Sequence, residues 1–169
     1  AMSDMSSSGL VEASLDVKDK VSASNIYPGY QMAKKIILIG KGKKDYESID
    51  AGIVIKPNLG VFKNDVIWKL YKSEKEITCT SNIIYNSSGI YDGSTCNIPS
   101  TAKLVLEGTY LENEYSVTVN YNTNDTYYLV VEYLNRDTDQ SEQMNESFNI
   151  DIDLAAAGEQ TIIKEIDHN

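Results

Sequence analysis

Residues 125–135, Asp-Thr-Tyr-Tyr-Leu-Val-Val-Glu-Tyr-Leu-Asn, are the part of this chain that decides its fold class. They are rich in aromatic and β-branched residues and contain neither Gly nor Pro, which is typical of a β-strand. After a polar loop at residues 136–143, apolar and polar residues alternate along residues 144–154. Alternation with a period of two places one face of a strand in a core and the other in water, as in an antiparallel sheet. This pair of segments predicts an all-β chain.

Similar short runs, separated by turn residues, recur along the rest of the sequence. In the run at residues 48–56, apolar residues again occupy alternate positions, and the segment Pro57-Asn58-Leu59-Gly60 is expected to stop that strand. Further strands are predicted at residues 11–17, 32–39, 66–71, 103–106, 115–121 and 161–166, with an irregular, cysteine-containing arm at 76–85 and 91–98. A total of about nine or ten short strands favours an antiparallel β-sandwich, either jelly-roll-like or immunoglobulin-like.

The length of 169 residues is that of one ordinary domain. Residues 1–9 are expected to form a flexible N-terminal segment, which is either a cloning remnant or a region that donates a strand to another copy. Residues 10–154 are assigned to the sandwich, and residues 155–169 to a linker followed by a short strand or tail. Trp68, the one tryptophan, has Val66 and Leu70 two positions away on either side. This spacing predicts that Trp68 is a core anchor between two sheets.

The charge of the chain excludes several classes of partner. The formal net charge is −10 at neutral pH. A nucleic-acid surface needs clustered Lys and Arg, and an anionic lipid surface also attracts cations, so neither partner is expected. No apolar run is long enough to span a bilayer, so no membrane insertion is expected.

Two cysteines, Cys79 and Cys96, lie 17 positions apart and each is close to turn-forming residues. A bridge between them would close a loop that the chain-entropy model values at about 3 kcal/mol. Free thiols in a cytosolic protein are the alternative, but a tyrosine-rich β chain without a CxxC motif favours the disulfide and an extracellular location. A nucleophilic thiol would need a histidine, and the single one, His168, is next to the end of the sequence.

The segment at residues 135–141 has oxygen-bearing side chains at alternate positions. Asn135, Asp137 and Asp139 fall at positions 1, 3 and 5 of an EF-hand-like spacing, and Glu146 falls at position 12. Hard cations prefer such oxygen ligands, which makes the loop a candidate calcium site. Position 6 is Gln140, where an EF-hand needs Gly, so a hydrated hairpin loop remains the alternative.

Three local motifs resemble the TasA and camelysin-type secreted proteins of Gram-positive bacteria, which are exported through a dedicated signal peptidase. The segment Ser14-Leu15-Asp16-Val17, after Gly9, is similar to the first mature strand of that family. The segment Asn25-Ile26-Tyr27-Pro28-Gly29-Tyr30, followed by Ala33-Lys34-Lys35-Ile36, resembles its Pro-Gly turn and buried strand. Residues 127–133 with 144–148 resemble its closing strand pair. Together these motifs spread over residues 9–154.

The resemblance implies a jelly-roll-like sandwich that assembles into extracellular fibres. In such fibres an N-terminal segment of one subunit completes a sheet of the next. If this applies here, the donor lies at the start of the chain, with Met2, Met5, Leu10 and Val11 as candidates for strand exchange. Some relatives are described as zinc endopeptidases. With no HExxH motif and a single histidine, this chain is not expected to be an enzyme or to hold a cofactor.

The sequence therefore predicts a secreted or cell-surface structural protein of a bacterium, such as a pilin-like fibre or biofilm-matrix subunit that assembles by β-strand addition. Its expected partners are other copies, other surface or matrix proteins, and host or matrix glycans. The alternative is a monomeric adhesin or carbohydrate-binding module whose exposed tyrosines stack on sugars, with Tyr85, Tyr91 and Tyr110 as candidates. A metal-dependent endopeptidase is a further, less favoured alternative.

Overall fold

The computed structural model describes residues 11–15, 19–24, 26–41, 48–87, 89–108, 114–120, 124–156 and 161–165, with side chains placed in 26–36, 53–87, 89–108 and 126–152. These residues form twelve strands and two single 3₁₀ turns, Gly60–Phe62 and Ser141–Gln143. The strands are β1 (Val11–Leu15), β2 (Asp19–Ser24), β3 (Gln31–Lys41), β4 (Ser48–Asn58), β5 (Val66–Lys72), β6 (Thr78–Asn86), β7 (Gly89–Asn97), β8 (Lys103–Gly108), β9 (Glu114–Asn120), β10 (Asn124–Tyr133), β11 (Ser147–Ala156) and β12 (Thr161–Glu165). The all-β class expected from the sequence is confirmed.

The strands build two larger sheets and one two-stranded ribbon. The six-stranded sheet has the order β12-β1-β3-β10-β5-β8, and the four-stranded sheet has the order β2-β11-β4-β9. The hairpin β6–β7 forms the ribbon. The pairing is antiparallel except between β1 and β12, which run parallel.

One core fills the space between the two larger sheets. Trp68 lies in it with none of its surface exposed, and residues of β3, β4, β5, β10 and β11 surround it. The fully or almost fully buried members are Ile36, Ile53, Ile55, Leu59, Phe62, Val66, Leu70, Tyr127, Leu129, Val131, Tyr133, Ile150 and Ile152. Both sheets contribute to one apolar layer, which is the arrangement of a β-sandwich.

Strand β10 is buried on both faces. Every side chain from Tyr127 to Val131 is buried, so its pattern is continuous instead of alternating. One face joins the core between the sheets, and the other carries Tyr128 and Val130 into a second apolar cluster with Ile77 and Cys96. The hairpin β6–β7 covers the outer face of the six-stranded sheet in this way, which explains why residues 127–131 are so apolar.

The structure differs from the predicted strands in four places. The strand Asp19–Ser24 was not predicted, because its sequence is mostly polar and lacks a long apolar run. Strand β4 ends at Asn58, inside the segment that was expected to stop it, but two residues later than predicted. Pro57 is therefore part of the strand. It is tolerated there because β4 pairs with β11 alone at this point. Strand β11 also runs on to Ala156, into the segment expected to be a linker. The cysteine arm is a regular nine-pair hairpin, so the total rises from about nine or ten strands to twelve.

Substitution of the core tryptophan tests the two-sheet packing. We expect Trp68→Ala to lower the free energy of unfolding by about 3–5 kcal/mol, because it removes a large buried side chain and leaves a cavity. Val61→Ala is the matched control, since Val61 is 48% exposed and should change stability by less than about 0.5 kcal/mol. Urea unfolding followed by far-ultraviolet circular dichroism measures both. A loss below about 1 kcal/mol for Trp68→Ala would contradict the assignment of this residue to the core.

Candidate interaction site on the disulfide-linked hairpin

The two cysteines are joined in a disulfide that crosses the hairpin. Cys79 of β6 lies directly opposite Cys96 of β7, with 3.8 Å between their Cα atoms. The bridge is at the root of the hairpin, where the two strands leave the body of the protein. It therefore fixes the register of the hairpin covalently.

The root of the hairpin is attached to the six-stranded sheet. Cys96 packs against Tyr128 and Val130 of β10 in the outer cluster. The backbone N–H of Cys96 also donates a hydrogen bond of 2.9 Å to the Oε1 atom of Gln31, at the start of β3. Next to it, Ser94 forms an isolated parallel bridge with Tyr30. The outer edge of β7 is thus partly occupied near the root.

Closer to the tip, the opposite face of the hairpin contacts the turn before β3. Ile84 lies so near Gly29 that a Cβ atom at Gly29 would be 2.8 Å from the Ile84 Cγ1 atom. Gly29 also has a φ of +98°, which favours glycine. Beside this contact the rings of Tyr27 and Tyr91 stack, with their centroids 5.3 Å apart. The change of contacting face between root and tip reflects the strong twist of a two-stranded ribbon.

The tip of the hairpin is held by the loop between β10 and β11. Asn86 donates its side-chain N–H to Asn135 Oδ1 at 3.0 Å. The backbone N–H of Ser87 donates to Asp137 Oδ1 at 2.8 Å, and the Ser87 hydroxyl donates to the Asp137 carbonyl at 3.1 Å. The hairpin is therefore attached at its root, its middle and its tip.

These contacts involve the residues of the candidate calcium loop. Asn135 Oδ1 also accepts the backbone N–H of Asp137, whose φ is +55°. Asp139 Oδ1 accepts the backbone N–H of Ser141, and hydrogen bonds from the side chain and backbone of Ser141 lower the pKa of Asp139 below its ordinary value. Calcium binding would have to compete with these bonds. Among the residues that the structure describes, no group of three or more His, Cys, Asp or Glu is arranged to hold a metal ion. Calcium binding by this loop stays a prediction.

The partly buried carboxylate of Asp65 organises the same loop from the side of the core. Asp65 Oδ1 accepts Nε of Arg136 at 3.0 Å, and Asp65 Oδ2 accepts the side-chain N–H of Gln143 at 2.7 Å. Gln143 is only 5% exposed; it also donates to the carbonyl of Val61 and accepts the hydroxyl of Tyr133. This network ties the loop to the connection between β4 and β5. No sequence motif indicated it, because its members are far apart in the chain.

The titration of Tyr133 reports on this network. Burial, and then the negative charge of Asp65 and the neighbouring Tyr91, raise the pKa of Tyr133 from 10.0 to about 12. The protonated phenol is therefore favoured by the folded state.

A shallow depression of about 50 Å³ adjoins the Tyr27–Tyr91 stack. Its lining includes Pro28 and Met144 on the apolar side and Asp139 on the polar side. Of the three tyrosines proposed to contact glycans, only Tyr91 lines this depression; Tyr85 is 73% exposed on the hairpin, and Tyr110 lies outside the described residues.

The outer surface of the hairpin carries large apolar side chains. Ile83, Tyr85 and Ile90 are 55%, 73% and 68% exposed, and Tyr85 lies directly opposite Ile90 in the ribbon. Contiguous exposed apolar groups of this kind mark contact surfaces. Strand β6 also has no strand neighbour other than β7 among the described residues.

The remaining site predictions fall on other parts of the chain. Met2, Met5, Leu10 and His168 lie outside the described residues. Val11 begins β1 and pairs with Thr161 of β12, so its backbone belongs to the chain's own six-stranded sheet. The described residues include no helix that is long and apolar enough to cross a membrane.

Comparisons with known proteins identify no relative. No protein-family model matches the chain, and no match is found among curated proteins or solved structures.

Alkaline unfolding tests the buried tyrosine. Below pH 10 the phenol is protonated in both states, so its contribution to stability is complete. As the pH rises from 10 towards about 12, the unfolded chain releases this proton while the folded chain retains it, and stability falls.

We expect Tyr133→Phe to reduce that fall in stability at high pH. We also expect it to lower the free energy of unfolding at neutral pH by about 1 kcal/mol, because Gln143 loses a hydrogen-bond donor. Urea midpoints measured from neutral pH to about pH 12 test both effects. An unchanged profile for Tyr133→Phe would contradict the assignment.

Proposed function

We propose that this chain is a structural subunit of an extracellular bacterial assembly, of the fibre or biofilm-matrix kind, in which copies join by β-strand addition at a sheet edge. One observation carries the proposal. Strand β6, Thr-Cys-Thr-Ser-Asn-Ile-Ile-Tyr-Asn, contains no charged residue, no Pro and no Gly, and it is an edge strand that is open on one side among the strands that the structure describes.

An unprotected edge is unusual because it invites another strand to pair with it. Natural sheets protect their edges with charged residues, Pro, bulges or covering segments. In this protein the other strands at sheet edges, β2, β7, β8, β9 and β12, each contain at least one charged residue, in a chain of which 24% is charged. Among the described strands, β6 alone lacks this protection. Strand addition is the use for which such an edge is suited.

The attachment of the hairpin favours binding at this edge. A strand that is already held in its bound conformation loses little conformational entropy when a partner pairs with it. The disulfide at the root, the contacts of Ile84 in the middle and the hydrogen bonds of Ser87 at the tip all hold β6 in place.

Two further observations support an extracellular setting. Structural disulfides persist mainly in oxidising environments outside the cytosol, and both cysteines of this chain are in the bridge. The motifs that resemble TasA and camelysin-type proteins are also in agreement with a secreted fibre subunit.

A charged substitution on β6 tests strand addition. We expect the unmodified chain to self-associate under oxidising conditions, and Ile83→Lys to weaken this association at least about tenfold, because a lysine on an edge strand opposes pairing. Val61→Lys is the matched control: Val61 is 48% exposed, close to the 55% of Ile83, but lies on a 3₁₀ turn. Sedimentation velocity and negative-stain microscopy measure the assemblies. A chain that stays monomeric at millimolar concentration, or equal effects of the two lysines, would refute the proposal.

A second candidate function, glycan binding, is favoured by the depression beside the Tyr27–Tyr91 stack. An exposed aromatic ring can stack on the apolar face of a sugar, and Asp139 at the rim can accept hydrogen bonds from its hydroxyl groups.

Screening on a glycan array tests this second candidate. Tyr91→Ala is expected to abolish any binding seen with the unmodified chain, because it removes a ring of the stack. Leu104→Ala, at a half-exposed residue of β8, should leave binding unchanged. Binding that survives Tyr91→Ala would exclude this depression as the sugar site.

A further inference from the structure

The hydrogen-bonding pattern of the hairpin determines which residues of β6 present their backbone to a partner. In an antiparallel pair, directly opposed residues alternate between pairs that exchange hydrogen bonds and pairs whose N–H and C=O groups point away from each other. The N–H of Cys96 donates to Gln31, outside the hairpin, so the Cys79–Cys96 pair is of the second kind. The bridge from Ser94 to Tyr30 agrees with this assignment.

The register of the hairpin has no shift, so the same parity continues to its tip. The pairs Ser81–Ser94, Ile83–Asp92 and Tyr85–Ile90 therefore also direct their backbone groups outward. On β6 this places the N–H and C=O groups of Ser81, Ile83 and Tyr85 at the open edge. Ile83 and Tyr85 are also the residues of β6 with large exposed apolar side chains. Backbone donors and acceptors and apolar contact area thus coincide at the same two positions.

We propose that the occupant of this edge is β6 of a second copy of the chain, paired antiparallel about a two-fold axis. This pairing builds a continuous four-stranded sheet in the order β7-β6-β6-β7 across the two copies. It deepens the proposed function and rests on it, because it names the partner that is added at the edge. A two-fold contact requires one patch to be complementary to itself, and β6 meets this requirement.

The register that matches the side chains best places Ile83 opposite Tyr85 of the second copy. The two-fold axis then passes by Ile84 and repeats the same pair on its other side. Both pairs join residues with outward-directed backbones, so they supply four hydrogen bonds between the copies. Each is also an aromatic–β-branched pair, a favourable combination across strands. Ile90 lies beside Tyr85 in the same ribbon and extends the apolar contact.

The charge of the chain favours this edge over other surfaces for contact between identical copies. With a net charge of −10, two copies repel each other, and a contact through charged surface adds to that repulsion. Strand β6 contributes no charge, and the nearest charged residue of its partner strand is Asp92, opposite Ile83. A contact along β6 therefore adds no charge from that strand to the repulsion between copies.

The symmetry of the pairing limits what it can build. A two-fold contact uses the same patch on both copies, so it closes at two subunits. A fibre made of such pairs needs a second, different contact to extend. The β6 pairing accordingly defines a dimeric building unit.

Exchange of complementary charges tests the pairing and its register. The variants are Ile83→Lys, Tyr85→Glu and the double variant with both changes, at residues that are 55% and 73% exposed. In the proposed register each Lys of the double variant faces a Glu of the second copy. We expect sedimentation equilibrium to give a dimer for the unmodified chain, at least about tenfold weaker dimerisation for each single variant, and recovery of most of that loss in the double variant. The recovered dimer should weaken as salt is added, because ion pairs at a surface are screened. Thermal unfolding by circular dichroism verifies that every variant is folded.

Three other results would each contradict a specific claim: the two-fold pairing, its register, or strand addition itself. If the unmodified chain grows beyond dimers and Ile83→Lys reduces all of these assemblies to monomers, β6 is the only contact and it does not close at two subunits; strand addition at β6 then stands and the two-fold pairing is wrong. If the single variants dissociate and the double variant does not recover, the proposed register is wrong. If Ile83→Lys associates as strongly as the unmodified chain, or if the unmodified chain is monomeric, both the pairing and the proposed function fail.

Discussion

The burial of β10 on both faces is the constraint on which the rest of this structure depends. One face of the strand closes the core around Trp68, and the other supports the root of the disulfide-linked hairpin. Because β10 lies between β3 and β5, the same strand also holds the six-stranded sheet together. A polar substitution on one face would therefore disturb the core around Trp68, and one on the other face would disturb the support of the hairpin. The hairpin is an integral third layer over the sandwich and not an appendage.

This third layer explains how an apolar edge can be kept open in a stable protein. Exposed Ile and Tyr side chains on a loosely attached segment would tend to fold back onto the body of the protein. Here the covalent bridge, the Ile84–Gly29 contact and the bonds from the tip to Asp137 hold the ribbon in one position. The apolar face that contacts the body is satisfied, and the outer face carries Ile83, Tyr85 and Ile90. Asn135 and Asp137, in the loop between β10 and β11, anchor the tip of the hairpin.

Much of the fold could be predicted from local patterns in the sequence. The continuous apolar run of β10 and the alternating run of β11 indicated the sandwich, and the two cysteines indicated the disulfide. Strand β2 could not be predicted in this way, because its sequence is mostly polar and has no apolar pattern. It forms a strand through its backbone pairing with β11. The Asp65–Gln143–Tyr133 network also could not be predicted from local sequence patterns, because 78 positions separate Gln143 from Asp65. The open edge corresponds to a visible feature of the sequence, because residues 78–86 are all uncharged. Recognising these residues as an open edge also requires the hairpin register and the strand order, which only the structure provides.

The chain order of the strands has a consequence for how the protein acquires its structure. The strand that lies between β3 and β5 comes tenth along the chain, and its contacts with β3 span up to about a hundred positions, as between Gln31 and Glu132. Until β10 has joined them, β3 and β5 have no neighbour in common, and the sandwich has neither its centre nor the support for its outer layer. Contacts between such distant parts of a chain make folding slow. A nascent polypeptide therefore lacks the centre of this sheet until residues 124–133 have been made and can insert between β3 and β5.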